Sequence, residues 1–578
     1  MSLAKNTLSA AICGALAVYA TASSAWVPTW PSDIAAPNVV IWHAGASAST
    51  DTVQGSVVEG LCDPTVTRTV TDPADSSTKT VPDIDVLNAS KNFWAIACTG
   101  KSTLPASLAG KKILYNKRDQ DGSGVGVGPV ALGNFKIGFM KPSTGPGTNC
   151  PSITALTTVG GVANVPTWSC GFSVPATFTA EPDTDPTTTG TLQVPNIGTS
   201  DIEPSKFTFS LNVPAADFNL DGVSPDSLPS YDPSTLHNEA YTELVFGIIG
   251  NIPMYQDMQR VQFPVGSPNY ADCNPAGANY GSILNAGDKA NSEECMPSLT
   301  GQQVRSLTMA GRINKVSRLQ AATTYGGTTY ATIVATGVTD QNIEFCRRVP
   351  GSGTQAQYQA IFLGYPCDAD GADGNLNTLT PATYNFLKDP YVYQGSGAGN
   401  VEDCMNDFSN GANKTGSNAA LAKRWAIGIQ SLEKNSDLGN AYRYFKIDGY
   451  APTLANVHAG DYYDFVESSI QYNTSAPQAV VDTFNTIVAQ FEQPAKLAVL
   501  NGSHVYPWGA SGFLAPPSTT NVPADKLDLT QPIGTYQRVD FNGAPNTCAL
   551  PSAYTKATNH LTIAPQNCSD SNGGLGCY

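Results

Sequence analysis

The chain has 578 residues, more than one hydrophobic core can organise, so about two to four domains are expected. Lys and Arg number 31 against 47 Asp and Glu, giving a formal charge of −16 that argues against nucleic acid or an anionic membrane as partner. Only 13% of residues are charged while Gly (53) and Pro (41) are abundant, which favours turns and strands over long exposed helices. An anion would have to be captured by local geometry, because the long-range field has the wrong sign.

In chain order, Lys5 precedes an apolar stretch over 8–20 that is too short to span a bilayer, and Ser23 and Ala25 are small residues of the kind a signal peptidase needs. Residues 1–25 therefore read as a signal peptide cleaved after Ala25, and the mature protein is expected to be soluble and periplasmic or extracellular. Losing Cys13 with it leaves twelve of the 13 cysteines, with no C-x-x-C pair, and these read as disulfides. Cys150 and Cys170 flank a Gly/Thr-rich insertion and read as a local staple; Cys273 and Cys295 read as another.

From Asn38 the sequence VVIWHAGASAS predicts a strand, a small-residue loop and then a helix on which Val53, Val57, Val58 and Leu61 recur, with Ser47 or Ser49 placed to cap it. The strand-like KKILYNK leads into DGSGVGVG at 121–128. Insertions are expected at about 129–197 and 208–240, the first rich in strand or loop. LVFGII at 244–249 suits a buried strand. Thr300 and Gln303 form a capping box ahead of Val304 and Leu307. FCRRVPGSGT, from Phe345, reads again as strand, Gly loop and helix. Pro477 opens an amphipathic helix whose Val480, Val481, Phe484, Ile487, Val488 and Phe491 share a face. Strands whose loops lead into helices indicate an α/β protein, with its ligand at the strand C-termini.

The GSGT loop carries chemistry. Free N–H groups of a first helical turn point at one spot, glycine admits a close anion, Ser352 and Thr354 add hydroxyls, and Arg348 adds a two-pronged cation. One such loop is by itself ordinary turn chemistry; several in one α/β chain, one beside an arginine, point to an oxyanion. Other features read as bland. His43, His237, His458, His504 and His560 show no metal-like spacing, so neither metal nor cofactor is expected. The Asp/Gly-rich stretches 217–222 and 368–374 resemble starts of calcium loops, but Leu228 stands where an EF-hand needs Glu, so surface turns are expected. Asp461 and Asp464 could be paired carboxylates, and a solvated strand edge explains them equally well.

Taken in order, AGAS (44–47), GTSDIEP (198–204), RVPGSGT (348–354) and KIDGYAPT (446–453) resemble the motifs of the phosphate-binding protein of bacterial phosphate ABC transporters. LTGQQVRSLTMAGRI and IGIQSLEKN add to the likeness, which covers about half the chain. The resemblance implies a two-lobed type 2 periplasmic-binding-protein fold with β- and loop-rich insertions. One lobe would hold 26–243 plus 446–578, including a C-terminal extension from about 500, and the other 244–445, with crossovers near 244–249 and 444–447. It also implies that Ser47, Ser123 and Asp201 from one lobe, with Arg348, Ser352, Gly353 and Thr354 from the other, surround the oxyanion. Pro350 departs from the family, which has Asp before GSGT, so a carboxylate partner for the arginine is missing. Ser47-Ala48 also stands where the family commonly has a threonine followed by a large aromatic.

The resulting expectation is a non-enzymatic, monomeric exported protein that binds inorganic phosphate or a similar oxyanion and serves a membrane ABC permease. Two alternatives are a surface or structural assembly protein reusing the fold, and a secreted phosphate-ester hydrolase.

Overall fold

The computed structural model describes residues 37–90, 92–142, 144, 148–172, 190–210, 212–213, 228–308, 324–325, 328–329, 343–367, 392–540 and 544–554. The expected signal peptide, the stretches 217–222 and 368–374, His560, Cys568 and Cys577 lie outside them.

The protein is a mixed α/β structure built on one 14-stranded sheet. Its strands are β1 (Val39–Gly45), β2 (Ile84–Ser90), β3 (Phe93–Thr99), β4 (Lys112–Arg118), β5 (Ile153–Val159), β6 (Val162–Ser169), β7 (Ile197–Ser200), β8 (Leu236–Asn251), β9 (Glu344–Arg348), β10 (Val392–Gly395), β11 (Ala426–Ser431), β12 (Tyr442–Tyr444), β13 (Phe465–Asn473) and β14 (Phe513–Leu514). They run in the order β10-β9-β11-β8-β13-β7-β1-β4-β3-β2-β6-β5, with β12 and β14 also paired to β8. The helices used below are α1 (Thr50–Leu61), α2 (Ser123–Leu132), α3 (Gly301–Thr308), α4 (Gly353–Tyr358, continued by a π turn over Gln359–Leu363), α5 (Ala398–Asn410) and α6 (Gln478–Phe491).

Two hydrophobic cores flank β8. The first gathers Ile41, Val53, Val57, Ile96, Phe484 and their neighbours; the second gathers Ile249, Phe345, Val401, Trp425, Ile427 and theirs. Strand β8 belongs to both. Leu236 to Val245 pair with β13, whereas Phe246 to Gly250 pair with β11, and Leu244 and Phe246 enter the first core while Val245 and Ile248 enter the second. The chain passes back late: Ile447, Leu454, Val457 and Tyr462 pack in the second core, and Val466 and Ile470 in the first.

Local chemistry explains the elements. The period of two in β3 sends Trp94, Ile96 and Cys98 to the first core, where Cys98 is bonded to Cys62, and Phe93, Ala95 and Ala97 to the opposite face. That second face is covered by the described part of the insertion: Met140, Trp168 and the Cys150–Cys170 disulfide. The capping box forms as expected, with Gln303 N–H donating to Thr300 Oγ1 at 3.1 Å and Thr300 N–H to Gln303 Oε1 at 2.8 Å. Ser49 does occupy the N-cap of α1, but its hydroxyl meets Tyr241 Oη at 2.9 Å instead of capping. On α6 the apolar face is buried except Val481, which is half-buried. The two expected staples are present, and Cys346–Cys404 and Cys367–Cys548 complete five disulfides among the described residues. The last of these ties the residues after α4 to a tail that is itself docked: Thr547 donates to Glu203, and Arg538 donates to Glu467 and to the carbonyls of Phe465 and Tyr463.

Beneath this tail lies a group of buried acids. Asp464, expected at a solvated edge, is fully buried, because the tail covers the strand end that the sequence leaves open; Asp461 is exposed. Glu243 and Glu467 stand directly opposite each other on β8 and β13. Burial raises the pKa of all three, Asp464 to about 7, with the like charge of the facing carboxylate adding to the rise in Glu243 and Arg538 opposing it in Asp464 and Glu467. A carboxyl whose pKa is higher folded than unfolded stabilises fully below the unfolded value and loses that contribution as pH rises through the folded one. The melting temperature is therefore expected to be lower at pH 8 than at pH 5, with the gap narrowed in Glu243→Gln. A melting temperature that climbs over this range would contradict the assignment.

Candidate functional site

Strands β7, β1 and β4 are parallel neighbours, so their C-terminal ends present three loops at one edge. These loops hold Ser47, Ser123 and Asp201. Glycine makes the packing possible: Gly45 has φ +127°, and a Cβ there would lie 2.0 Å from the carbonyl oxygen of Thr199. In the second core β9, parallel to β10 and β11, ends at Arg348 and delivers the GSGT loop to the same place.

All the residues that the sequence singled out meet here, and all are buried. Arg348 Nη1 donates to Ser47 Oγ at 2.9 Å. Thr354 Oγ1 donates to Asp201 Oδ2 at 3.1 Å, and Ser123 Oγ accepts from the Asp201 N–H at 3.0 Å. Gly353 is wedged between these groups, since a Cβ on it would lie 2.2 Å from Ser123 Oγ and 2.6 Å from Asp201 Cβ. The Gly124 N–H donates to the Gly351 carbonyl at 2.7 Å, so the two loops interlock. The missing carboxylate at Pro350 is answered by main chain: Arg348 Nε donates to Gly395 O at 3.1 Å and Nη2 to Ser396 O at 2.9 Å. These carbonyls orient the guanidinium without cancelling its charge.

Two buried polar atoms at this centre, Asp201 Oδ1 and Ser352 Oγ, have no hydrogen-bond partner. Such atoms are costly unless something satisfies them. Burial lifts the Asp201 carboxyl to about 6, against the pull of Arg348, the Thr354 hydrogen bond and Lys117. Burial likewise lowers Arg348 to about 10, with Asp201, Asp121 and Asp119 opposing the fall. The arrangement is a desolvated cradle of hydroxyls, one guanidinium and one carboxyl that protonates near neutrality. It suits an oxyanion that brings its own proton to Asp201.

No protein-family model matches the chain, and no curated protein does. Among solved structures it is similar to an ABC-type phosphate transport receptor from Vibrio cholerae, at 12% identity over 51% of this chain and 74% of that one, with a TM-score of 0.24. It is also similar to PstS from Borrelia burgdorferi, at 13% identity over 44% and 66%, TM-score 0.21. A third is a structure assigned to a phosphate ABC transporter substrate-binding protein with bound phosphate from Clostridium perfringens, at 13% identity over 47% and 71%, TM-score 0.25. The relationship is distant and at the level of the fold. The chemistry of the site is therefore read from its own residues.

Several residues at the site escape sequence reading. Lys117 and Asp119 form a buried ion pair at the end of β4. Asp119 Oδ2 accepts from Thr50 Oγ1 at 2.9 Å and Trp94 Nε1 at 3.0 Å, while Lys117 Nζ donates to Ala46 O at 3.3 Å, so the pair holds the Ser47 loop from behind. Their only sequence signal is their place, alternating at the end of a strand that runs into a Gly loop. Asn92, Glu402 and Lys434 line a cavity beside Ser47; Asn92 and Glu402 lie in no motif, and Lys434 lies in IGIQSLEKN, which gave it no role.

Proposed function

We propose that the chain is an exported solute-binding protein that captures a tetrahedral oxyanion, phosphate first, between two lobes centred on its two cores, and presents it as a monomer to a membrane permease. The observation that carries this reading is the convergence of Ser47, Ser123 and Asp201 from one core with Arg348, Ser352 and Thr354 from the other, around two unpartnered buried oxygens. The five disulfides among the described residues fit an oxidising compartment, and no helix among them is long and apolar enough to cross a membrane. Contacts from both cores would couple closure to binding. Monohydrogen phosphate can donate a hydrogen bond to Asp201 and sulfate cannot, so an ionised Asp201 penalises sulfate.

Calorimetric titration of ligand-stripped protein with phosphate and then sulfate tests the reading. Phosphate alone should bind at pH 8. Asp201→Asn is expected to narrow the preference by about tenfold or more, because an unsatisfied buried polar group costs about 1–3 kcal/mol. In the unmodified protein the preference should also relax below about pH 6, where Asp201 takes up a proton and becomes a donor. Equal affinity for the two anions at pH 8 would remove Asp201 from the selecting role. A second reading, an assembly protein that keeps the fold without the ligand, is favoured by one observation: all three guanidinium nitrogens of Arg348 already donate within the protein, Nε to Gly395 O, Nη1 to Ser47 Oγ and Nη2 to Ser396 O. Silence toward both anions, from folded oxidised protein, would select it.

A further inference from the structure

The five disulfides among the described residues differ in access. The eight cysteines of four of them are buried, Cys170 being the most exposed at 4%. Cys367 and Cys548 are both half-buried, so theirs is the one bridge of the five whose two residues reach solvent. A thiolate must approach one sulfur to break an S–S bond, and burial bars that approach. The stretch that Cys548 anchors has little else to hold it. No residue from 544 to 550 joins a hydrophobic core among the described residues, and Leu550 is 77% exposed. Its described contacts are polar. The Asn546 N–H donates to Arg538 O at 2.8 Å, Arg538 Nη1 donates to Ala549 O at 2.8 Å, and the Thr547 N–H donates to both carboxylate oxygens of Glu203 at 3.1 Å. Glu203 is buried and lies two residues from Asp201, so this grip holds the Asp201 loop. A further partner of Glu203 is Lys206, with Nζ 3.2 Å away.

We propose that Cys367–Cys548 is a redox-modification site, reduced by a dithiol ahead of the other four bridges, and that its reduction releases the tail from Glu203 and slackens the Asp201 loop. The chemistry is thiol–disulfide exchange. One thiolate of the dithiol attacks a bridge sulfur, and the S–S bond breaks with its electron pair leaving on the other cysteine. The second thiol of the dithiol then displaces the first cysteine and closes a disulfide within the reductant. Two electrons pass to the bridge, and the two protons of the dithiol end on Cys367 and Cys548. These cysteines are 181 residues apart in sequence, so once the bond opens no short length of chain keeps them together. Glu203 is then left to Lys206 and to hydrogen bonds that a stretch without apolar anchors must hold alone. Only the last step, from a slackened Asp201 loop to weaker anion capture, rests on the oxyanion reading.

The test exposes the full oxidised chain briefly to dithiothreitol, alkylates it with iodoacetamide and maps the labelled cysteines by mass spectrometry. Cys367 and Cys548 are expected to be labelled about tenfold faster, or more, than the cysteines of the other four bridges. In the alkylated protein, hydrogen exchange at the main chain of Asn546 to Ala549 should quicken about tenfold. Phosphate affinity, measured by calorimetry, should fall about fivefold or more. The Cys367→Ser/Cys548→Ser double variant should show both changes without reductant or label. Should it fail to fold, the alkylated protein, made from chain already folded, gives the same readings. Labelling of Cys367 and Cys548 no earlier than the rest would overturn the proposal. So would early labelling that leaves exchange at Thr547, or a measurable phosphate affinity, unchanged. No phosphate binding before or after reduction, with the tail released as expected, would overturn the oxyanion reading and leave the redox site standing.

Discussion

Arg348→Ala is expected to lower the affinity for phosphate more than a hundredfold. The guanidinium is buried, it bridges the two cores through Ser47, and two carbonyls fix it from behind. Removing one partner of a buried charge pair costs about 3–5 kcal/mol, and each 1.4 kcal/mol is about tenfold in affinity. The loss should have a second signature. Arg348 is the strongest influence holding Asp201 down against desolvation, so in the variant Asp201 should protonate at higher pH. Any residual preference for phosphate over sulfate should then relax at a higher pH than in the parent. An affinity within threefold of the parent would place the anion elsewhere. Arg348→Lys offers a control on charge alone, because an ammonium cannot reach Ser47, Gly395 and Ser396 together with the fork geometry.

Gly353→Ala is the second large expectation. The added methyl would lie 2.2 Å from Ser123 Oγ, 2.6 Å from Asp201 Cβ and 2.8 Å from Asp201 Oδ2. Nothing across the gap is the free end of a flexible chain: Ser123 is committed to the Asp201 N–H and Asp201 to Thr354. Overpacking of this kind costs about 1–3 kcal/mol, so phosphate affinity should fall roughly tenfold to a hundredfold. The strain acts where the two cores meet. The melting temperature without ligand should therefore change less than the ligand-induced rise in it, which should shrink sharply. A variant that binds phosphate like the parent would show that the GSGT loop does not approach Asp201 when ligand is held.

The residues of the candidate site could be singled out because each loop follows a strand end and leads into a helix, a local pattern that survives without knowledge of the partners. AGAS, DGSG, TSD and GSGT could each be read alone, and the parallel strands then bring them together. What stayed hidden depends on distant segments. The run 244–249 reads as a short buried strand, yet β8 extends from Leu236 to Asn251. Its first half is mixed in burial, with His237 to Ala240 not buried, so no apolar run announces it. Asp464 looked solvated because the tail that buries it follows some seventy residues later. The pairing of Cys367 with Cys548, across 181 residues, has no local signal, whereas Cys150–Cys170 and Cys273–Cys295, at 20 and 22 residues, do. Glu402 and Lys434 acquire meaning only once Ser47 stands across from them.

That long-range disulfide also limits how the molecule can move. Cys548 follows Thr547, which grips Glu203, two residues from Asp201; Cys367 closes the segment that began with GSGT. The disulfide thus fastens the end of that segment to the tail that grips Glu203, with the two Cα atoms 5.2 Å apart. Under the proposed two-lobed reading, opening could not lengthen that distance, so the two sides could not simply be drawn away from each other. As long as the tail keeps its grip on Glu203, opening becomes a swing about a fixed corner, like a book held at its spine, with the Asp201 side close to the binding and the free edge wherever the chain is not sewn.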